Sequence, residues 1–178
     1  MHKLLLKRIA IIGPESTGKS TLALQLANHF NTTWVPEYSR EYLATIDREY
    51  NYDDVLKIAQ GQLGNENRLA LFAENYLFVD TELIINKVWC EFKWHTCHQW
   101  ILDRLKDHHY DLYLLSYFDI PWVYDPLREN PTIREELFDV YREQLGSYSA
   151  NFRVVKGIGD ERLKNAISLI ETAFPEYI

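Results

Sequence analysis

Long apolar runs are missing from the sequence. No run approaches the roughly 18 residues that a membrane-spanning helix needs, and the apolar stretch within residues 1–7 is too short for a signal peptide. Repeats, low-complexity tracts and Gly/Ser-rich linkers are absent as well. We therefore expect a single cytoplasmic domain over residues 1–178, in which residues 1–7 lead into the first strand.

The chain has fewer basic than acidic residues. The chain has 19 Lys and Arg residues against 26 Asp and Glu residues, which gives a net charge of −7. This balance argues against broad binding to nucleic acid or to an anionic membrane, although a local basic patch stays open. Hydrophobic residues make up 47% of the chain, an ordinary proportion for a globular domain. We expect small-molecule partners, no nucleic acid and no membrane.

Cysteine is scarce, and both cysteines lie in one short segment with two histidines. These residues are Cys90, His95, Cys97 and His98. Their spacing matches none of the usual zinc-binding pairs, and a helical segment would scatter the four side chains around its axis. We expect reduced structural thiols here, with a metal site as the alternative.

One motif dominates what the sequence does contain. Residues 13–20 read G-x-x-x-x-G-K-S, the Walker A pattern or P-loop, between a β-branched run and a helical pattern. Backbone N–H groups of such a loop surround phosphates, Lys19 reaches the β- and γ-phosphates, and the Ser20 hydroxyl binds Mg²⁺. An ordinary Gly/Ser/Thr-rich turn is the alternative. The expected nucleotide-binding residues here are Gly13, Glu15, Ser16, Thr17, Gly18, Lys19, Ser20 and Thr21.

Strand patterns alternate with amphipathic helical patterns along the chain. Strands are predicted at residues 8–12, 32–35, 76–80, 111–116 and 152–156. Helices are predicted at residues 53–73, 82–94, 99–107, 133–145 and 161–173. This alternation predicts an α/β fold, a three-layer α/β/α P-loop NTPase of the nucleoside/nucleotide-kinase kind with a five-stranded parallel sheet. Ligands of such sheets bind beyond the carboxyl ends of the strands.

Acidic residues follow the second and third predicted strands. Glu37 is placed to take the proton of an acceptor hydroxyl, and Arg40 to neutralise phosphate charge. Asp80 has the Walker B position, which holds Mg²⁺, and Glu82 is a candidate second carboxylate of the acceptor site. Each residue also suits the start of a helix, which is the alternative structural interpretation.

A proline- and aromatic-containing segment, residues 119–134, predicts a mobile lid over the nucleotide. Arg128 and Arg134 are its candidate phosphate-binding arginines, with exposed arginines at a helix start as the alternative. Asp119, Trp122 and Asp125 are candidates for lining the acceptor pocket. Gly157, after the last strand, is placed to let the backbone approach adenine, with an ordinary turn and helix cap as the alternative.

These motifs together resemble the ribosylnicotinamide kinase domain of the bifunctional bacterial NAD-biosynthesis regulator. The resemblance covers nearly the whole chain. Two positions depart from that family, because this chain has Ser39 and Glu82 where the family usually has Gly and Asp. The segments that carry it are residues 13–20, 37–42 (Glu-Tyr-Ser-Arg-Glu-Tyr), 79–82 (Val-Asp-Thr-Glu) and 121–128.

The resemblance implies ATP- and Mg²⁺-dependent phosphorylation of nicotinamide riboside to the mononucleotide, here by a stand-alone domain. It implies that Lys19 and Ser20 serve ATP and Mg²⁺, that Glu37 and Asp80 serve acceptor and metal, and that Arg128 belongs to the lid. Lys19, Glu37, Asp80 and Arg128 are the expected catalytic residues, and Ser20 and Asp80 the metal ligands. The expected acceptor-binding residues are Glu37, Tyr38, Arg40, Tyr42, Asp80, Glu82, Trp122 and Asp125.

The cationic ring of nicotinamide riboside suits aromatic faces and carboxylates. Besides the acceptor-binding residues above, Trp89 and Tyr124 offer such faces. Glu37 is the expected base, and exchange of its role with Asp80 stays open. A kinase for another nucleoside or metabolite, a nucleotide-regulated switch and an ATPase acting on macromolecules are the alternatives. A guanine-nucleotide switch is disfavoured because residues 86–89, Asn-Lys-Val-Trp, lack the last Asp of N-K-x-D, and no D-x-x-G occurs.

Overall fold

A sheet of five parallel strands organises the chain. In the computed structural model, which describes residues 5–177, the order across the sheet is second, third, first, fourth and fifth strand. The first strand is therefore central, paired with the third on one side and the fourth on the other. The strands are β1 (Lys7–Ile12), β2 (Trp34–Val35), β3 (Tyr76–Asp80), β4 (Leu112–Ser116) and β5 (Phe152–Val155).

The described residues contain seven α-helices, of which six connect the strands and the seventh follows the last strand. They are α1 (Lys19–His29), α2 (Tyr38–Leu43), α3 (Tyr52–Leu69), α4 (Leu83–Trp94), α5 (Gln99–Asp107), α6 (Arg134–Ser147) and α7 (Asp160–Ala173). Single 3₁₀ turns follow at Ala70–Phe72 and Pro175–Tyr177. Among residues 5–177, no helix combines the length and the hydropathy needed to cross a membrane.

Two hydrophobic layers cover the sheet, and β1 shows how the sequence builds both. Ile9 and Ile11 face the layer that α1 and α7 complete, whereas Ala10 and Ile12 face the layer of α3 to α6. Successive side chains of a strand point to opposite faces, so a strand buried on both sides is apolar at every position. This three-layer arrangement confirms the predicted fold class.

The predicted elements differ from the observed ones mainly at their ends. The helix predicted for residues 53–73 stops at Leu69 and continues as the 3₁₀ turn, while a capping box between Asn51 and Asp54 fixes its start. Helix α2 was not predicted, because six residues are too few to show a periodic pattern. Residues 117–133 form neither helix nor strand, and residues 1–4 of the predicted strand entry lie outside the described residues.

Two glycines in the interior of α3 have different surroundings. A Cβ on Gly61 would lie 2.0 Å from Cε1 of Tyr38, whereas a Cβ on Gly64 would meet nothing within 4 Å. Alanine favours a helix over glycine by about 1 kcal/mol, but an overlap with a packed ring costs about 1–3 kcal/mol.

We expect Gly64→Ala to raise the midpoint of thermal unfolding by about 2–4 °C and Gly61→Ala to lower it. The two substitutions are chemically identical, so each is the control for the other in differential scanning calorimetry. Stabilisation by both would contradict the packing of the Tyr38 ring on Gly61.

Candidate active site

A cavity of about 680 Å³ lies beyond the carboxyl ends of β1, β2 and β3. The P-loop borders one end, and α2, α4 and the loop before α6 surround the rest. Its lining consists of Gly13, residues 15–21, Glu37, Ser39, Arg40, Leu43, Tyr50, Thr81, Ile85, Val88, Trp89, Phe92, Lys93, residues 126–130, Leu137 and Tyr141.

Two glycines give the P-loop its path. Gly13 has φ 137°, and a Cβ there would lie 2.8 Å from the backbone oxygen of Ser116 at the end of β4. Gly18 has φ 75° and caps the N-terminus of α1. Both angles favour glycine, and the Thr17 hydroxyl braces the loop by donating to the Pro14 carbonyl at 2.8 Å. The sequence from 13 to 20 therefore forms a phosphate-binding loop at a helix N-terminus.

Lys19 is half-buried in this loop and lies near acidic groups. Its Nζ donates to the Pro14 carbonyl at 2.8 Å. Burial lowers the pKa of Lys19, while the nearby carboxylates of Glu37 and Asp80 act to raise it. The ammonium thus lies between the phosphate-binding loop and the acidic side of the cavity.

Asp80 is fully buried at the end of β3, beside β1 in the sheet. Neither of its carboxylate oxygens has a hydrogen-bond partner among the described residues. Burial, and then repulsion from Glu37, raises the pKa of Asp80 to about 6, while Lys19 and Ser20 act in the opposite direction. Two unpaired carboxylate oxygens beside a serine hydroxyl are the oxygen ligands that Mg²⁺ prefers.

Glu37 and Arg40 enter the cavity from the start of α2. Glu37 accepts a hydrogen bond from the Ser39 hydroxyl at 2.6 Å, and its other oxygen lies 3.7 Å from Nε of Arg40. Arg40 also donates to Asp125 at 2.9 Å. Asp125 is thus held at the rim through Arg40 and lies outside the cavity lining, in contrast to its predicted role in the acceptor pocket.

The predicted lid, residues 119–134, is attached to the P-loop. The Glu15 carboxylate accepts from the backbone N–H groups of Glu129, at 3.1 Å, and Asn130, at 2.9 Å. The Ser16 hydroxyl accepts from the backbone N–H of Val123 at 2.9 Å. Side chains of the phosphate-binding loop therefore hold the lid over it.

The two predicted lid arginines differ in their placement. Arg128 lines the cavity and donates to the Ser16 hydroxyl at 3.3 Å. Arg134 lies outside the lining, where it donates to the carbonyls of Ile120, at 2.7 Å, and Ser16, at 3.3 Å. Its guanidinium lies 5.9 Å from the ring centroid of Trp122. Arg134 and Trp122 thus stabilise the lid through contacts outside the cavity. Of the two arginines, only Arg128 is in a position to contact a bound phosphate.

An aromatic and charged cluster forms the far wall of the cavity. The Tyr50 hydroxyl donates to Glu129 at 2.8 Å and accepts from Nε1 of Trp89 at 3.1 Å. The Lys93 ammonium lies 4.0 Å from the centroid of the Tyr50 ring. Apart from Trp89, sequence reasoning missed this cluster, whose members come from three separate segments and match no motif.

Three residues predicted to bind the acceptor are directed elsewhere. The Tyr38 ring lies against Gly61, and the Tyr42 hydroxyl donates to buried Asp54 at 2.7 Å. Glu82 is buried, and its carboxylate accepts from the backbone N–H of Ile84 at 2.9 Å. Glu82 is therefore the N-cap of α4, because a carboxylate at that position satisfies free N–H groups of the first turn.

The turn after β5 is joined to the segment after β4. Asp119 accepts from the Gly157 backbone N–H at 2.7 Å and pairs with the buried Arg162 guanidinium. Gly157 has φ 103°, and a Cβ there would lie 3.0 Å from Cγ of Glu161. Asp119 and Gly157 thus shape this turn and lie outside the cavity lining, and Tyr124 is exposed at the surface.

The cysteine and histidine segment shows no clustered ligands. Within residues 5–177, no group of three or more His, Cys, Asp or Glu side chains could hold a metal ion. The His98 ring stacks on Tyr52 with centroids 3.7 Å apart, and His95 ends α4 with φ 58°. Cys90 and Cys97 are both free.

Comparison with known proteins gives relatives in both sequence and fold. Residues 8–162 match the family described as "AAA domain". The trifunctional NAD biosynthesis/regulator protein NadR of Escherichia coli (strain K12) is 30% identical over 177 residues, which cover 96% of this chain and 43% of that protein. The chain therefore spans less than half the length of this relative. The similarity confirms the resemblance that the motifs indicated.

Solved structures show the same fold. A crystal structure of NadR protein in complex with NR has a TM-score of 0.75 at 23% identity and covers 97% of this chain and 52% of that chain. Deoxyadenosine kinase from M. mycoides has a TM-score of 0.62 at 12% identity, covering 93% and 99%. These likenesses confirm the nucleoside-kinase-like architecture.

The capping role of Glu82 predicts a specific pH dependence of stability. Burial raises the pKa of Glu82 from 4.5 to about 8. Between these values the folded chain keeps a proton that the unfolded chain releases, so Glu82 lowers stability as the pH rises through this window. The slope for one proton is at most about 1.4 kcal/mol per pH unit.

We expect Glu82→Gln to remove this fall in the free energy of unfolding. In urea titrations, the free energy of unfolding of the variant should therefore rise relative to that of the wild type from pH 5 to 8. Glu135→Gln is the control, because Glu135 is an exposed carboxylate in the first turn of α6. A pH-independent difference between wild type and Glu82→Gln would contradict a buried, proton-retaining cap.

Proposed function

We propose that this chain, which belongs to the AAA domain family, is an ATP-dependent kinase that phosphorylates the 5′-hydroxyl of nicotinamide riboside to give nicotinamide mononucleotide. The observation that carries the proposal is the shared cavity. One continuous space joins the P-loop to the carboxylate of Glu37 and to the aromatic wall at Trp89. A phosphate donor and a small acceptor can therefore meet in a single site, as phosphoryl transfer requires.

The known relatives support this acceptor class. The curated relative carries NAD biosynthesis in its name, and a solved structure with the same fold is a complex with NR, which we take as nicotinamide riboside. The other activities of the trifunctional protein are not part of the proposal, because the chain spans less than half of that protein. The expected setting is NAD salvage from soluble metabolites in the cytoplasm.

ATP would bind with its phosphates on the P-loop, and the residues present fit a magnesium ion. Ser20 and Asp80 would hold Mg²⁺, since Asp80 has two unpaired oxygens and lies beside the Ser20 hydroxyl. Mg²⁺ neutralises charge on the transferred phosphoryl group. Lys19 and Arg128 would bind the remaining phosphate oxygens and stabilise the spreading negative charge.

Glu37 is the proposed base. It lines the cavity opposite the P-loop and has an oxygen held by Ser39, so its carboxylate is oriented before the substrate binds. Asp80 is more deeply buried and is better placed as a metal ligand. Exchange of these two roles is the alternative that a substitution at Glu37 tests.

The far wall suits a cationic ring. The Lys93 ammonium donates to the Tyr50 hydroxyl at 2.6 Å and lies 4.0 Å from the centroid of its ring and 3.4 Å from a Glu129 oxygen. An aromatic face with a carboxylate beside it attracts positive charge, whether it is carried by an ammonium or by a pyridinium ring. Tyr50, Trp89 and Glu129 would thus replace Tyr42 and Trp122 as the residues that contact the base of the riboside.

We expect the purified protein, with Mg·ATP and a panel of ribosides, to release ADP fastest with nicotinamide riboside and to form the mononucleotide. Lys19→Ala should lower kcat by at least about a hundredfold, because transition-state charge loses a donor. Lys106→Ala, an exposed lysine of α5, is the control. Equal ADP release with and without every acceptor would reject the kinase proposal, and preference for another nucleoside would correct the acceptor.

The role of Glu37 predicts a separate result. Glu37→Gln keeps the size of the side chain and removes the base, so kcat should fall by about 10²- to 10⁴-fold with little change in the KM for ATP. Glu41→Gln, an exposed carboxylate of the same helix, is the control. Unchanged turnover in Glu37→Gln would transfer the role of base to Asp80.

A further inference from the structure

Thr81 has a backbone conformation that is unfavourable for its residue type. It directly follows β3 and has φ 73°. The other non-glycine residues with positive φ in the described chain are serine, asparagine and histidine, whereas threonine is β-branched and strongly disfavoured there. Its backbone N–H still donates to the Ile11 carbonyl at 3.2 Å, so the turn begins while the strand is paired. Such strain is typical of residues that a functional site holds in place.

The Thr81 side chain carries a second unfavourable feature. The residue is 4% exposed, and its hydroxyl has no hydrogen-bond partner among the described residues. Yet Thr81 lines the cavity. A buried hydroxyl without a partner destabilises a folded protein, and a molecule in the cavity is the available source of that partner.

Helix capping does not account for this hydroxyl. The N-cap of α4 is Glu82, whose carboxylate already accepts from Ile84. Ser116 also has a buried hydroxyl without a partner, but it lies outside the cavity lining and against Gly13. Thr81 alone of these residues combines an unpaired hydroxyl with a place on the cavity wall.

The position of Thr81 indicates which part of a ligand it meets. On one side it follows Asp80 and is hydrogen-bonded to Ile11 of β1, the strand that leads into the P-loop, and on the other it begins the apolar wall that Ile85, Val88 and Trp89 continue along α4. It therefore lies at the junction of the phosphate end and the acceptor end. A hydroxyl both donates and accepts hydrogen bonds, as does the alcohol of an acceptor.

We propose that the Thr81 hydroxyl binds the alcohol group of the acceptor at the point of phosphoryl transfer. The inference rests on the proposed kinase function. Thr81 orients the alcohol by a hydrogen bond. As the alcohol oxygen bonds to the γ-phosphorus of ATP, the bond from that phosphorus to the bridging β,γ-oxygen breaks, ADP leaves, and the proton of the alcohol goes to Glu37. No sequence motif marks this role, because a single threonine after a Walker B aspartate has no distinctive spacing.

The substitutions Thr81→Val and Thr81→Ser test the inference. Valine keeps the shape and the β-branching and removes only the hydroxyl. We expect about a tenfold lower kcat/KM for nicotinamide riboside at saturating ATP, with the KM for ATP unchanged. Without ligands, the thermal midpoint of Thr81→Val should equal or exceed that of the wild type, because an unpaired polar group is gone. Thr81→Ser retains the hydroxyl and should stay within about threefold of the wild-type kcat/KM.

Thr32→Val is the matched control. The Thr32 hydroxyl donates to the Tyr76 carbonyl at 2.6 Å and accepts from the Glu74 N–H at 2.9 Å, at the opposite end of β3. Its replacement should lower the thermal midpoint and leave kcat/KM unchanged. The two valine variants are thus expected to show opposite patterns of stability and activity.

Calorimetric titration with nicotinamide riboside separates failure of this inference from failure of the proposed function. If the wild type binds the riboside without phosphorylating it and Thr81→Val binds more weakly, the kinase proposal fails and only the contact between Thr81 and the riboside stands. Unchanged kcat/KM and affinity in Thr81→Val, or an effect confined to the KM for ATP, would overturn the role of Thr81. Absence of riboside binding by the wild type would overturn both.

Discussion

The chain leaves its two central strands through residues with positive φ, and the cavity depends on these turns. After β1, Gly13 lets the P-loop pass so close to Ser116 that a Cβ would lie 2.8 Å from the Ser116 carbonyl oxygen. After β3, Thr81 turns the chain at φ 73° before Glu82 starts α4. Because β1 and β3 are neighbours, both turns open onto the same space. The sheet thus determines where the site lies, and the two turns determine which atoms face it.

Asp80 is a buried carboxylate without a hydrogen-bond partner among the described residues, whereas Glu37 is paired with Ser39 and Arg40. Burial, and then repulsion from Glu37, raises the pKa of Asp80 to about 6, although Lys19 acts in the opposite direction. In a low-dielectric site, such a carboxylate gains most from a cation placed directly on it. The buried, unpaired carboxylate of Asp80 is therefore the feature that supports the proposed divalent cation beside an anionic phosphate chain.

Local patterns predicted most of the fold and the donor half of the site. The P-loop could be read from residues 13–20 because strand, turn and helix are consecutive in the chain. The end of β3 at Asp80 could be read from a single apolar run. The acceptor half could not be read in this way. Tyr50 and Glu129 meet across 79 positions in the sequence, and such pairs obey no local spacing. The sequence left two interpretations of Glu82 open, because a carboxylate after a strand suits both a site and a helix cap, and in the structure it is buried and caps α4.

The lid connects the donor and acceptor halves mechanically. Its backbone at Glu129 and Asn130 is bound by Glu15 of the P-loop, while Asp125 is bound by Arg40 beside the proposed base. The Glu129 side chain also accepts from Tyr50 in the acceptor wall. A shift of the P-loop on nucleotide binding would therefore displace groups that are proposed to contact the acceptor, and the reverse holds equally. Coupling of this kind is reciprocal by thermodynamic necessity, so closure of one short loop can make phosphoryl transfer depend on both ligands being present.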